Sequence, residues 1–242
     1  MTSPTDTATA PAHKPRTLID MLISIVIPSV ILMKFSGEED FGASGALIIA
    51  LALPLSWGLF ELVKYRKFNF IALLGMVSVL LTGGIGLLKL DPQWLAVKEA
   101  AIPALIGIAV LISTRTRYPL IKTLLLNPAV MDIEKIKQKL AQQNKTSAFD
   151  ESLLKATYFL SGTFFFSAVM NYILAKWIVT SPAGSSAFNE ELGRLTLLSY
   201  PMIAIPSMLM MMGVLYFLWR TIRDMTGFKL EEILVGAQSE KD

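Results

Sequence analysis

Six apolar stretches dominate the chain, near residues 17–34, 44–63, 68–88, 98–114, 153–179 and 196–220, with short polar and mostly basic breaks between them. A helix needs roughly 20 apolar residues to cross a bilayer, and in lipid each spanning element must satisfy its own backbone hydrogen bonds. The pattern predicts an all-α, polytopic integral membrane bundle of six transmembrane helices. Residues 1–16, rich in Thr, Pro and Ala, read as a disordered cytoplasmic tail, residues 17–222 as the membrane domain and residues 223–242 as a second cytoplasmic tail. The first stretch runs into Lys34 and an acidic loop without a small-residue cleavage site, so it is expected to remain a span rather than serve as a signal peptide.

The fourth break, residues 115–152, is the one segment with room for structure outside the bilayer. Ile133, Ile136 and Leu140 recur at helical spacing behind Asp132, a residue suited to an N-cap, and Lys135, Lys137 and Lys139 supply a polar face. This predicts a cytoplasmic interfacial amphipathic helix between spans four and five, with its apolar stripe toward the anionic leaflet. A solvated linker that only carries topology charges is the alternative. Phe228, Leu230, Ile233 and Leu234, after Gly227, suggest a shorter amphipathic turn that docks in the same way.

Composition agrees with a membrane chain: 53% of residues are hydrophobic and 17% charged, the balance of a lipid-embedded protein rather than a globular enzyme. The net charge of +3 does not point to nucleic acid, because the basic residues sit at the ends of apolar segments, where they anchor topology and contact headgroups. Sixteen Lys and Arg fall on the N-tail, the second break, the fourth break and the C-tail, against five on the opposite side, with Lys155 inside the fifth segment. The positive-inside rule then places both termini in the cytoplasm. Trp94 and Trp177 near the outer ends, with Tyr65, Tyr118 and Trp219 near the inner ends, fit interfacial aromatic belts.

Chemistry is sparse along the sequence. With no cysteine there is no disulfide or thiolate site, and the single histidine, His13, lies in the N-tail, so no Ser/His/Asp set or metal-ligand spacing arises and no cofactor is expected. Five methionines in residues 202–212 could suggest a copper(I) thioether site, but without Cys or a nearby His they read as packing. Asp20, Glu61, Lys98, Glu99 and Lys155 all fall within a turn or two of an expected interface, where a charge snorkels cheaply, so none demands an ion pathway. Asn171, among Phe166, Val169, Met170 and Ile173, needs a partner, either across a helix interface or on a substrate. Ser78, Thr82 and Gly86, widened by Gly83 and Gly84, make a small-residue stripe that predicts close approach of another helix, with a ligand-lining role as the alternative. Pro28, Pro103 and Pro206 share the contexts Val26-Ile27-Pro28-Ser29, Ala101-Ile102-Pro103-Ala104 and Ala204-Ile205-Pro206-Ser207, which suggests either a three-plus-three repeat of kinked spans or chance in a small apolar alphabet.

Laid out in order, a set of residues resembles the intracellular septation protein A family of bacterial inner-membrane-spanning proteins. These are Gly45-Ala46-Leu47-Ile48, Ser56-Trp57, the basic turn Tyr65-Arg66-Lys67, Gly83-Gly84, Lys98, Pro119-Leu120-Ile121, and Asn171-Tyr172 followed by Ala175 and Trp177. The pattern covers roughly residues 18–222; extra residues before the basic turn, a longer fourth break and an added N-tail mark a divergent relative. The resemblance implies a non-enzymatic role in cell-envelope integrity and septation at the bacterial inner membrane, through contacts with lipids and with division or wall-elongation proteins. It brings no catalytic residues. The alternative from the kinked spans is a small membrane transporter or channel, and a homo-oligomer is compatible with either.

Overall fold

The computed structural model describes residues 22–65, 70–116 and 131–233, which are helical with no strand among them. The helices are α1 (Ile27–Lys34), α2 (Gly42–Tyr65), α3 (Phe70–Leu87), α4 (Gln93–Ser113), α5 (Ile133–Gln142), α6 (Thr146–Ile178), α7 (Ser186–Ser199), α8 (Ile205–Thr226) and α9 (Leu230–Ile233). Two π-helical turns interrupt the regularity, Leu22–Val26 leading into α1 and Tyr200–Ala204 joining α7 to α8. Leu, Ala and Met, which lose little freedom in a helix, fill much of the long elements.

Four helical stretches among the described residues are long and apolar enough to cross a membrane: Gly42–Phe60, Gln93–Ser113, Thr146–Ile178 and Ser186–Thr226. Two shorter apolar helices, Leu22–Lys34 and Leu73–Leu87, fall on the other two stretches expected from sequence. The sixth stretch starts earlier than its apolar run, because α7, the π turn and α8 form one rod of 41 residues. At about 1.5 Å per residue that rod is about 60 Å long, twice a hydrocarbon core of about 30 Å.

Helix α4 lies along α6, α6 along α8, α1 against α7 and α2, and α2 against α3. Two apolar cores result. One gathers Leu47, Leu95, Leu174, Phe188 and Leu192, and the other gathers Val110, Leu160, Val214, Leu218 and Ile222. The first is closed by a polar turn, in which the Glu191 carboxylate accepts from the backbone N–H groups of Thr180 and Ser181, each at 2.9 Å.

Helix α5 forms where the spacing places it, and its cap is the expected one: Asp132 Oδ1 accepts from the Lys135 backbone N–H at 3.0 Å. Its stripe does not face outward. Ile136 and Leu140 are 2% and 1% exposed, packed with Phe149, Leu153, Leu218 and Ile222. The reason is connectivity: Gln143–Lys145 turns α5 straight back onto the start of α6, with Asn144 in the left-handed region at φ 53°, so an apolar protein surface lies within reach. Lys145 Nζ donates to the Met225 carbonyl at 3.2 Å and Lys135 Nζ to the Glu232 carbonyl at 2.8 Å, which ties α5 to the end of α8 and to α9.

The proline contexts divide. Pro28 and Pro206 each follow a π turn that ends one residue before Ile-Pro-Ser, whereas Pro103 lies inside the regular helix α4. A proline ring clashes with the carbonyl four residues back, and widening the preceding turn relieves it; Ile205 N–H accordingly donates to Tyr200 O, five residues earlier. The shared geometry pairs the first and sixth apolar stretches, not the first and fourth as a three-plus-three repeat requires.

Candidate functional site

The site begins at two consecutive, ion-paired residues of α4. Lys98 is 9% exposed, its ammonium turned toward α3. Nζ lies 3.1 Å from Ser78 Oγ, 2.8 Å from Thr82 Oγ1 and 2.7 Å from Glu99 Oε1, so its three donors each have an acceptor. Lys98 does not snorkel to an interface, contrary to the expectation from its position. The small stripe of α3 explains this, because it lets the helices close up and presents two hydroxyls at the place where the lysine ends.

That stripe also packs as expected. A Cβ at Gly83 would lie 2.8 Å from Leu51 Cδ1, and one at Gly86 would run into the Leu47 side chain and come within 3.3 Å of Phe188. Gly84, by contrast, has nothing within 4 Å.

Glu99 lines a cavity of about 460 Å³ between α4, α6 and the α7–α8 rod. The further walls are Ser167 and Asn171 of α6, Leu195, Thr196 and Ser199 of α7, Tyr200, Ile203 and Ala204 of the π turn, and Ser207 of α8. The π turn thus does more than relieve Pro206: its widened backbone forms part of the cavity wall. The volume is that of a small-molecule site. Five hydroxyl groups, an amide and a carboxylate converge in this cleft between apolar helices, which is open at its rim, where Tyr200 is 41% exposed.

Asn171 lines this cavity and makes no cross-helix bond among the described residues; its Nδ2 donates to the Ser167 carbonyl at 2.8 Å and to Ser167 Oγ at 3.3 Å. The cross-helix amide is Asn189 instead. Fully buried, it donates to Ser36 Oγ at 3.0 Å and to the Ala43 carbonyl at 2.7 Å, joining α7 to the turn after α1 and to the first turn of α2. Asn189 sits in a more polar stretch than Asn171, where a buried amide gives no local contrast to notice. The hydroxyls at 196, 199 and 207, and the Ser167/Asn171 pair one turn apart, were the available signal for the cavity.

Of the other marks, Trp57 is half-buried on α2 with Phe60 5.9 Å away, Tyr172 is exposed with Lys176 Nζ 5.9 Å from its ring, and Trp177 is 72% exposed. Tyr65 is the last residue of α2, while Arg66, Lys67 and Pro119 lie outside the described residues. Of the marks within the described residues, Lys98, through Glu99, and Asn171 meet at one place. Comparison with family models, with curated proteins and with solved structures gave no match.

Proposed function

We propose that the chain is a six-span protein of the bacterial inner membrane, with both termini cytoplasmic, that takes up a small polar solute in the cavity between α4, α6 and the α7–α8 rod. The role is binding or transport without covalent chemistry. What carries the reading is the polar lining. Glu99, Asn171 and the hydroxyls of Ser167, Thr196, Ser199, Tyr200 and Ser207 lie inside apolar helices, where polar groups are costly unless they serve a structural or ligand-binding purpose. A π turn beside a cavity fits the same purpose.

The natural absence of cysteine makes the test direct. In detergent-free lipid discs, Ser199→Cys should react with small water-soluble thiol reagents, while Leu209→Cys, on an exposed apolar face of α8, should stay unmodified. A Ser199→Cys chain inert to all such reagents would exclude a water-filled site and sink the reading.

The resemblance to the septation family supports a second reading, in which the protein maintains the envelope by contact with division or wall-elongation proteins. Crosslinking from native membranes separates the two, since a reproducible wall-synthesis partner together with an inert Ser199→Cys would favour contact over solute binding.

A further inference from the structure

Hydrogen-bond accounting around the cavity limits what can bind there. Thr196 Oγ1 donates to the Leu192 carbonyl at 3.0 Å and Ser199 Oγ donates to the Leu195 carbonyl at 2.7 Å, so each hydroxyl proton is occupied within its own helix and only lone pairs remain. The bond from Asn171 Nδ2 to the Ser167 carbonyl fixes the amide orientation, since a carbonyl only accepts, and this leaves Oδ1 as an acceptor. Glu99 uses one oxygen on Lys98 and keeps the other. Ser207 Oγ is buried and has no partner among the described residues. Asn171, Thr196, Ser199 and Glu99 thus each offer an acceptor, the hydroxyls of Ser167, Tyr200 and Ser207 can donate or accept, and the only charged wall is a carboxylate. Lys98 pairs with Glu99 Oε1 at 2.7 Å, but its ammonium is bonded on the α3 side to Ser78 and Thr82 and does not line the cavity, so the carboxylate is the charged group that reaches it.

We infer that the cavity selects a small organic cation bearing N–H donors, a protonated amine or a guanidinium. Glu99 supplies the charge, and Asn171, Thr196 and Ser199 supply acceptors. This rests on the solute-binding reading above. The ammonium could belong to a free solute or to a phosphatidylethanolamine headgroup entering from the side; the recognition chemistry is shared.

The test uses full-length Ser199→Cys in phosphatidylcholine discs, a lipid without an N–H ammonium. Three methanethiosulfonates of similar size are compared, each rate normalised to a free thiol: aminoethyl, trimethylammonioethyl and sulfonatoethyl. The expected order is aminoethyl, then trimethylammonioethyl, then sulfonatoethyl, with the first about tenfold faster than the last. Glu99→Gln should bring that ratio toward one and Glu99→Asp should keep it. Methylammonium, but not acetate, should slow modification in the otherwise native protein, an arm that stands even if Glu99→Gln does not fold. If added phosphatidylethanolamine protects while methylammonium does not, the headgroup is the source; protection by methylammonium identifies a free cation. Equal normalised rates for the cationic and anionic reagents, or protection by acetate alone, would overturn the cation assignment while leaving an accessible cavity. Failure of every reagent to react would overturn the cavity reading itself.

Discussion

Lys98 shows how one side chain can be held deep in an apolar bundle. An ammonium taken out of water needs all three of its donors satisfied, and Ser78, Thr82 and Glu99 meet that requirement. Thr82 is the most informative of the three because it accepts from Lys98 while donating to the Ser78 carbonyl at 3.0 Å. Thr82→Val keeps the shape and removes the hydroxyl, leaving a buried charged donor short of an acceptor at a cost of about 1–3 kcal/mol. Thr82→Ser keeps the hydroxyl and should cost less. Unfolding in detergent compares the two, and equal stability of the Val and Ser variants would show that the hydroxyl does not hold the lysine.

At the scale of elements, α3 meets α2 through positions that differ sharply along one short stretch. Gly86 faces Leu47 and Phe188 at a distance that leaves no room for a methyl group, whereas Gly84 faces open space. Gly86→Ala should therefore destabilise by about 1–3 kcal/mol through overpacking. Gly84→Ala should be neutral or stabilise by up to about 1 kcal/mol, since Ala is the better helix former. Thermal or denaturant unfolding of the pair in the same detergent decides; a Gly86→Ala chain as stable as Gly84→Ala would mean the two helices do not approach as described. Helix α5 carries a related lesson. An amphipathic stripe specifies that something apolar covers it, and here the nearest apolar surface is α6 and α8 rather than lipid.

For the whole molecule, the proposed orientation rests on charge: sixteen basic residues on one set of breaks against five on the other predict cytoplasmic termini under the positive-inside rule. Reporter fusions at the N- and C-termini should both be active as cytoplasmic reporters. A reporter inserted beside Glu38-Glu39-Asp40, in the turn between α1 and α2, should be active on the far side. A terminus found outside would break the six-span reading. The proposed orientation would put the polar turn of Thr180, Ser181 and Glu191 at the outer end and the α5–α9 contacts at the inner end.

Properties that run along the chain were legible without coordinates. The apolar stretches, the helix behind Asp132 with its cap, and the packing role of Ser78, Thr82 and Gly86 all follow from length, spacing and side-chain size, which act locally. The face each helix turns to its neighbours was not legible, because a span apolar all round carries no contrast between protein-facing and lipid-facing sides. Only the tertiary structure put the Lys98 ammonium against α3 and Glu99 toward α6 and α7. Only it turned Ile136 and Leu140 inward, moved the cross-helix amide from Asn171 to Asn189, and joined α7 to α8 through a π turn that walls a polar cavity. Each of these depends on which surfaces of distant segments meet, and pairing between helices is decided by shape and hydrogen-bond satisfaction in three dimensions, not by the order of residues along one of them.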